Sequence, residues 1–180
     1  MTAFTIRAFA PADAGPVQAL FVAVNRGLAP PGMKAAFEDY IARCIAEEMG
    51  RVEHYYSERG GGFWVAVDGT GALLGTFGLE PSSPDAMELR RMYVAAPARR
   101  RGVAGTMLAR AEAECLRRGA RRLVLSTSEL QGAALALYRG RGYAETGSAV
   151  AEVASNRTVG GGLRRFSFEK TLAPRGLGPD

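Results

Sequence analysis

Between Met87 and Thr127 the sequence changes periodicity twice, and this constrains the fold more than any other feature. MELRRMYVA, ending at Ala95, reads as a strand. PARRR (97–101) is a short turn loaded with arginine. From Gly102 onward, Val103, Met107, Leu108, Ala111, Cys115 and Leu116 recur at helical spacing, and Gly119 stands where a helix C-cap glycine belongs. RRLVLST then returns to a short apolar strand. A strand, a crossover helix and a second strand make a βαβ unit, the connection that parallel strands require.

The remaining segments fit around that unit. FTIR is a short strand, Pro11 to Asn25 a helix, and the stretch from Met33 to Gly60 a helical region with Phe37, Ile41, Cys44 and Ile45 on one stripe. FWVAV and ALLGTFGL flank the Asp68-Gly69 hairpin signal. QGAALALYRGRG is a short helix, GYAETG opens a strand and LRRFSFEKTL is the last one. The expected order is β-α-α-β-β-β-α-β-α-β-β, an α/β fold without repeats or linkers. We expect one domain over residues 1–173 and a frayed tail over 174–180.

Charge is unevenly placed along this order. Residues 1–89 carry a net −5, residues 90–141 a net +9 and residues 142–180 a net +1. The excess in the middle points to an anionic partner. The free amides of a helix's first turn, with its dipole, favour a phosphate there, and Gly102 and Gly105 let an anion approach the backbone. Neither nucleotide fingerprint fits, since no GKS/T follows and GVAG is not G-x-G-x-x-G. On its own, RRRGVAGTML reads equally as a solvated arginine-rich loop.

The surroundings separate the two readings. Arg99-x-x-Gly102-x-Ala104 resembles the R/Q-x-x-G-x-G/A signature of the GNAT superfamily of acyl-CoA-dependent N-acetyltransferases. ELRRMYVAAPARRRG is similar to that family's preceding strand, and LVLSTSELQGAALALYRGRGYAE to its next strand and helix with the Y-x-x-x-G-F/Y ending. The resemblance covers residues 87–145. It implies a mixed, mostly antiparallel sheet of about six to seven strands flanked by helices, with the βαβ unit binding acyl-CoA.

The resemblance also implies roles. Acetyl-CoA would be held by Met92, Tyr93 and Val94 on the strand, and by Arg99, Arg100, Arg101, Gly102, Val103, Ala104, Gly105 and Thr106 at the loop and helix start. Gln131, Ala134 and Tyr138 would complete its site from the following helix. Gln131 stands where many members carry Asn, which puts a direct amide contact in doubt. Tyr138 would protonate the departing thiolate, and Glu88 would be the general base, with Glu80 in reserve; the alternative for Glu88 is an ion pair with Arg90 or Arg91. A backbone N–H at Tyr93 or Val94 would polarise the thioester carbonyl. The family's strand is bulged here, so alternation alone does not assign faces to Glu88, Arg90 and Arg91.

The acceptor expected from the resemblance is a primary amine of a small molecule or amino-acid derivative. A protein or peptide acceptor and a non-catalytic acyl-CoA-binding module are the rival readings. The acceptor pocket would come from Asn25 to Tyr56 and Ala149 to Gly162, with Arg90 or Arg91 meeting a substrate carboxylate. His54, Tyr55 and Tyr56 are candidates for its wall, although His54 fits a packed surface position better.

The remaining expectations are exclusions. Cys44 and Cys115 are isolated and His54 is the one histidine, so we expect reduced core thiols and no metal centre. No run approaches a membrane span and the start lacks a signal layout, so the expectation is a cytoplasmic protein with no membrane partner. The arginines of the middle helix form a solvated face, which argues against nucleic acid. A homodimer is possible by the resemblance.

Overall fold

A computed structural model describes residues 4–173; the expected tail lies outside them. One seven-stranded sheet runs in the order β1-β2-β3-β4-β5-β7-β6. Its strands are β1 (Phe4–Ala8), β2 (Gly62–Asp68), β3 (Leu73–Ser83), β4 (Ala86–Val94), β5 (Arg122–Ser128), β6 (Ala144–Ala151) and β7 (Leu163–Thr171). Every neighbouring pair is antiparallel except β4 and β5. The crossover helix between those two is α4 (Val103–Arg117), as the change of periodicity predicts. No described helix is long and apolar enough to cross a membrane.

Helices cover both faces. On one, Met107, Leu108 and Ala111 of α4, with Leu135 and Tyr138 of α5 (Gly132–Gly140), pack on Phe77, Leu89, Leu123 and Phe168. On the other, α1 (Ala14–Leu28), α2 (Lys34–Cys44) and α3 (Val52–Glu58) bury Phe21, Phe37, Tyr40, Ile41 and Tyr56 against Phe63 and Val65. Cys44 and Cys115 are buried free thiols, one in each core. Burial pushes the Cys115 thiol up to about 12, so it stays protonated and inert.

Two local irregularities decide what the second face presents. The helical region from Met33 is broken by a π turn, Ile45–Met49, closed by the Gly50 N–H donating to the Ile45 carbonyl at 2.8 Å. A β-carbon on Gly50 would stand 2.6 Å from that carbonyl oxygen, so glycine permits the closure. Glu48, within that turn, points inward and is fully buried. The second irregularity is a bulge in β4: Gly78 pairs with Arg90 and Thr76 with Tyr93, leaving Arg91 and Met92 opposite Phe77. Arg91 takes a left-handed φ of +51°. Met87 and Leu89 face α4 before the bulge, and Met92 and Val94 do so after it. Arg90 and Arg91 therefore turn to the same face, toward α2 and the π turn.

β4 and β5 share only four register pairs, from Ala86 with Arg122 to Leu89 with Leu125. Beyond them the two strands diverge and leave a crevice in the middle of the sheet.

Candidate active site

β4, whose Met92 and Tyr93 line the crevice, leads through the arginine-rich turn to the start of α4. Gly102 caps it with φ +81°, and Arg100 just before it has φ +63°. The Gly102 carbonyl accepts from both the backbone N–H and the hydroxyl of Thr106, at 3.0 and 3.1 Å. The amides of Val103, Ala104 and Gly105 precede that first intrahelical bond and remain available to an anion. A β-carbon on Gly102 would meet nothing within 4 Å, so the approach to those amides is open. Val103 is buried and offers only its amide. Arg99, Arg100 and Arg101 are exposed around the turn, and Arg99 Nε donates to the Val94 carbonyl at 3.4 Å. Arg141 completes the ring of cations: a β-carbon on Gly105 would stand 2.3 Å from its Nη2, so this guanidinium lies across the first turn of α4. Open amides and converging cations fit a pyrophosphate.

The crevice spans about 570 Å³ of empty space, the open solvent at its mouth included. Glu88, Met92, Tyr93, Ser126, Gln131 and Tyr138 line it. The Ala95 N–H donates to the Leu74 carbonyl at 2.8 Å, so ladder alternation turns the Tyr93 N–H toward β3 and the Val94 N–H toward the crevice. Tyr138 is buried against Tyr143 and Phe168, and its O–H donates to Met92 Sδ at 3.9 Å. Burial raises its pKa, which keeps the phenol protonated and able to donate. Gln131 Oε1 accepts from the Thr127 hydroxyl at 2.8 Å, which holds this side chain at the wall of the crevice. Ala134 packs at the edge of the core rather than lining the crevice.

Behind the crevice is a buried charge network that the sequence reading missed. Glu48 Oε2 accepts from Arg90 Nη2 at 2.8 Å and from Arg91 Nη2 at 2.6 Å. Glu48 Oε1 accepts from Arg91 Nε at 3.0 Å and from the Tyr56 hydroxyl at 2.6 Å. Burial pushes the Glu48 carboxyl up, but the charges and hydrogen bonds of Arg91, with those of Arg90 and Tyr56, outweigh it and hold the pKa below the ordinary value. Arg90 Nη1 also donates to Glu80 Oε1 at 2.7 Å and to the Tyr55 hydroxyl at 2.9 Å. Arg91 reaches the Tyr40 hydroxyl at 2.8 Å and the Asn156 carbonyl at 2.6 Å, tying the 152–162 loop over the site.

Several expectations are corrected here. Arg90 and Arg91 are consumed by Glu48 and Glu80, so neither is free to meet a substrate carboxylate. Glu88 pairs with neither of them; both its oxygens accept from Arg157 Nη1, while Arg157 Nη2 donates to Glu80 Oε1 at 2.8 Å. Tyr55 and Tyr56 back the site through their hydroxyls instead of lining it, because the π turn brings Glu48 between them and β4. His54 is exposed and pairs with Glu58 at 3.0 Å, a surface position. Of the segments expected to build the acceptor side, Asn25, Leu28, Phe37, Tyr40 and the Asn156–Val159 stretch line the crevice or the cavity beside it. Of the residues missed, Glu48 had a signal: it continues the stripe of Phe37, Ile41 and Cys44 at helical spacing, a carboxylate on a buried face. Arg157 had none.

A sequence profile described as "Acetyltransferase (GNAT) family" matches residues 32–143. The chain belongs to the GNAT acetyltransferase family. Among similar proteins is N-acetyltransferase 8 of Rattus norvegicus, 30% identical over 123 residues, which are 65% of this chain and 55% of that protein. N-acetyltransferase family 8 member 3 of the same species is 32% identical over 120 residues, 63% of this chain and 52% of that one. The chain thus spans about half the length of these curated relatives. A GNAT-family acetyltransferase from Staphylococcus aureus Mu50 superposes with a TM-score of 0.74 at 16% identity, covering 95% of this chain and all of that one. A ribosomal-protein-alanine N-acetyltransferase from Brucella melitensis gives 0.70 at 23% identity, covering 93% and 99%. The GNAT fold is thereby shown for this chain, and GNAT enzymes use acetyl-CoA as the acyl donor for amine acceptors.

Proposed function

We propose that this GNAT enzyme transfers an acetyl group from acetyl-CoA to the primary amine of a small molecule or amino-acid derivative, by direct attack on the thioester. One observation carries the reading. The anion cradle at the start of α4 follows directly on β4, whose Met92 and Tyr93 line a crevice that also presents a buried, protonated phenol and a carboxylate. Acetyl-CoA supplies the activated carbonyl and a thiolate leaving group. For the chain's part, the Val94 N–H is the polarising donor, so Tyr93 drops out of the pair first considered. Tyr138 delivers a proton to the departing sulfur. Glu88, which lines the crevice while Glu80 does not, takes the proton of the incoming ammonium directly or through water. Arg157 holds Glu88 in place, and Arg99, Arg100, Arg101 and Arg141 surround the phosphates.

A second cavity of about 380 Å³ adjoins the crevice through Tyr40, Tyr93, Gln131 and Arg165, and the 152–162 loop contributes to its wall. The test is a calorimetric titration of acetyl-CoA into wild type and Gly102→Val, followed by a screen of amines for free-thiol release. Binding lost in the variant, with turnover of small amines in wild type, is the expected result. Tight binding that the variant leaves untouched would remove the cradle from the argument.

A further inference from the structure

Around the crevice, on the face covered by α1–α3, four guanidiniums meet three carboxylates. Arg90 is paired with Glu48 and Glu80, Arg91 with Glu48, and Arg157 with Glu80 and Glu88. Arg165 is the fourth, and among the described residues it has no carboxylate partner. Its recorded hydrogen bond runs from Nη2 to the Ser126 hydroxyl at 2.7 Å, a neutral acceptor. The guanidinium is half-buried, and burial lowers its pKa, with Tyr40, Tyr93 and Glu88 opposing and Arg91 adding to that effect. Arginine nevertheless remains charged at any physiological pH. A desolvated cation without a counterion is unfavourable, and the network around it has no negative charge to spare.

Its position gives that charge a use. Arg165 lies on β7 opposite Ser128 and lines both the crevice and the second cavity. Leu28, Phe37, Val159 and Leu163 form the apolar part of the second cavity's wall, which Asn25 and Thr158 share. A molecule that presents its amine toward Glu88 and an anion to Arg165 must therefore turn its third substituent against apolar side chains. We propose that Arg165 binds the carboxylate of the acceptor, and that the acceptor is an amino acid with an apolar side chain seated in the second cavity. This rests on the transferase reading above. The free edge of the guanidinium offers two parallel N–H donors, the geometry a carboxylate takes and a neutral amide does not.

The experiment compares leucine, leucinamide and 3-methylbutylamine as acceptors, at equal concentrations of free amine, in wild type, Arg165→Gln and Arg165→Lys. Free-thiol release gives kcat/KM for each. N-acetylleucine and N-acetylleucinamide are titrated calorimetrically into the same three proteins, and thermal melts confirm folding. In wild type, leucine should exceed leucinamide by about ten- to a hundredfold, the range for a charge-assisted hydrogen-bonded pair. That ratio should collapse toward unity in Arg165→Gln and survive in part in Arg165→Lys, and the binding preference for N-acetylleucine should follow it. A wild-type ratio near unity, or one that Arg165→Gln leaves unchanged, overturns the inference while amine turnover keeps the transferase reading. A rise in the acetyl-CoA KM of Arg165→Gln without loss of selectivity also overturns it, by assigning the residue to the donor. If no amine is turned over yet N-acetylleucine binds through Arg165, the transferase reading fails and the carboxylate site stands.

Discussion

Replacing Glu48 by leucine is the sharpest test of how this site is held together. In the folded protein Arg90 would keep Glu80 at 2.7 Å, but Arg91 would keep only neutral partners: the Tyr40 hydroxyl, the Asn156 carbonyl and Cys44 Sγ. One buried guanidinium is then left uncompensated, and breaking a buried pair in this way costs about 3–5 kcal/mol. Unfolding a chain of this size releases about 2.1 cal/mol/K per residue, so the melting temperature should fall by roughly 8–13 °C. Glu48→Gln, which keeps an acceptor but not the charge, should lose less. Adding Arg91→Met to Glu48→Leu removes the orphaned charge and should recover much of the loss. Scanning calorimetry at neutral pH reads all three directly. A Glu48→Leu melting temperature within about 2 °C of wild type, in the range of an ordinary surface substitution, would refute the claim that this carboxylate neutralises β4.

Other outcomes follow from the same geometry. Tyr138→Phe keeps the ring packed on Phe168 and removes only the hydroxyl, so kcat should fall at least tenfold with little change in acetyl-CoA affinity; an unchanged kcat would end its role as the acid. At Gly102, φ is +81°, so Gly102→Ala should cost about 1–2 kcal/mol and weaken acetyl-CoA binding, as a melt and a titration would show. A β-carbon on Gly78 would stand 2.5 Å from the Tyr56 ring, so Gly78→Ala should cost about 1–3 kcal/mol in denaturant unfolding through the residue that supports Glu48. The Glu48 pKa is depressed on folding, so its contribution is complete above the ordinary value of 4.5 and is lost as pH falls through the lower folded value. Stability should therefore decline with acidification in wild type, and Glu48→Gln should flatten that limb of the melting curve against pH.

What could be read from the chain and what could not divide along physical lines. The βαβ unit was legible because its signals are local: a change of period, an arginine-rich turn, a glycine at a helix start; that the turn is an anion cradle came from the resemblance. The roles proposed for Tyr138 and Glu88 rest on resemblance, since nothing in their neighbours distinguishes an aromatic on a buried helix stripe from an acid. The fate of Arg90 and Arg91 was not legible, because one inserted residue in β4 puts consecutive side chains on the same face and cancels alternation. Their partner Glu48 stood on a buried stripe at helical spacing, but that spacing says nothing of which cations meet it, 42 and 43 residues away. Arg157 joins Glu88 across 69 residues and Glu80 across 77, separations at which sequence pattern carries nothing about contact. β7 entering the sheet between β5 and β6 has the same cause, and it is what carries Arg165 to the crevice.

The four-pair junction between β4 and β5 has a kinetic meaning. Glu88, Met92 and Val94 belong to one half of the sheet, whereas Gln131, Tyr138 and Arg165 belong to the other. The proposed base and acid thus sit on opposite banks, and the gap between them is spanned by a short seam and by whatever occupies the crevice. The donor and acceptor act as tie-beams as well as reactants: each one bound fixes the distance over which the next proton must travel. Substitutions along that seam, far from any reacting atom, would then be felt in turnover before they are felt in binding.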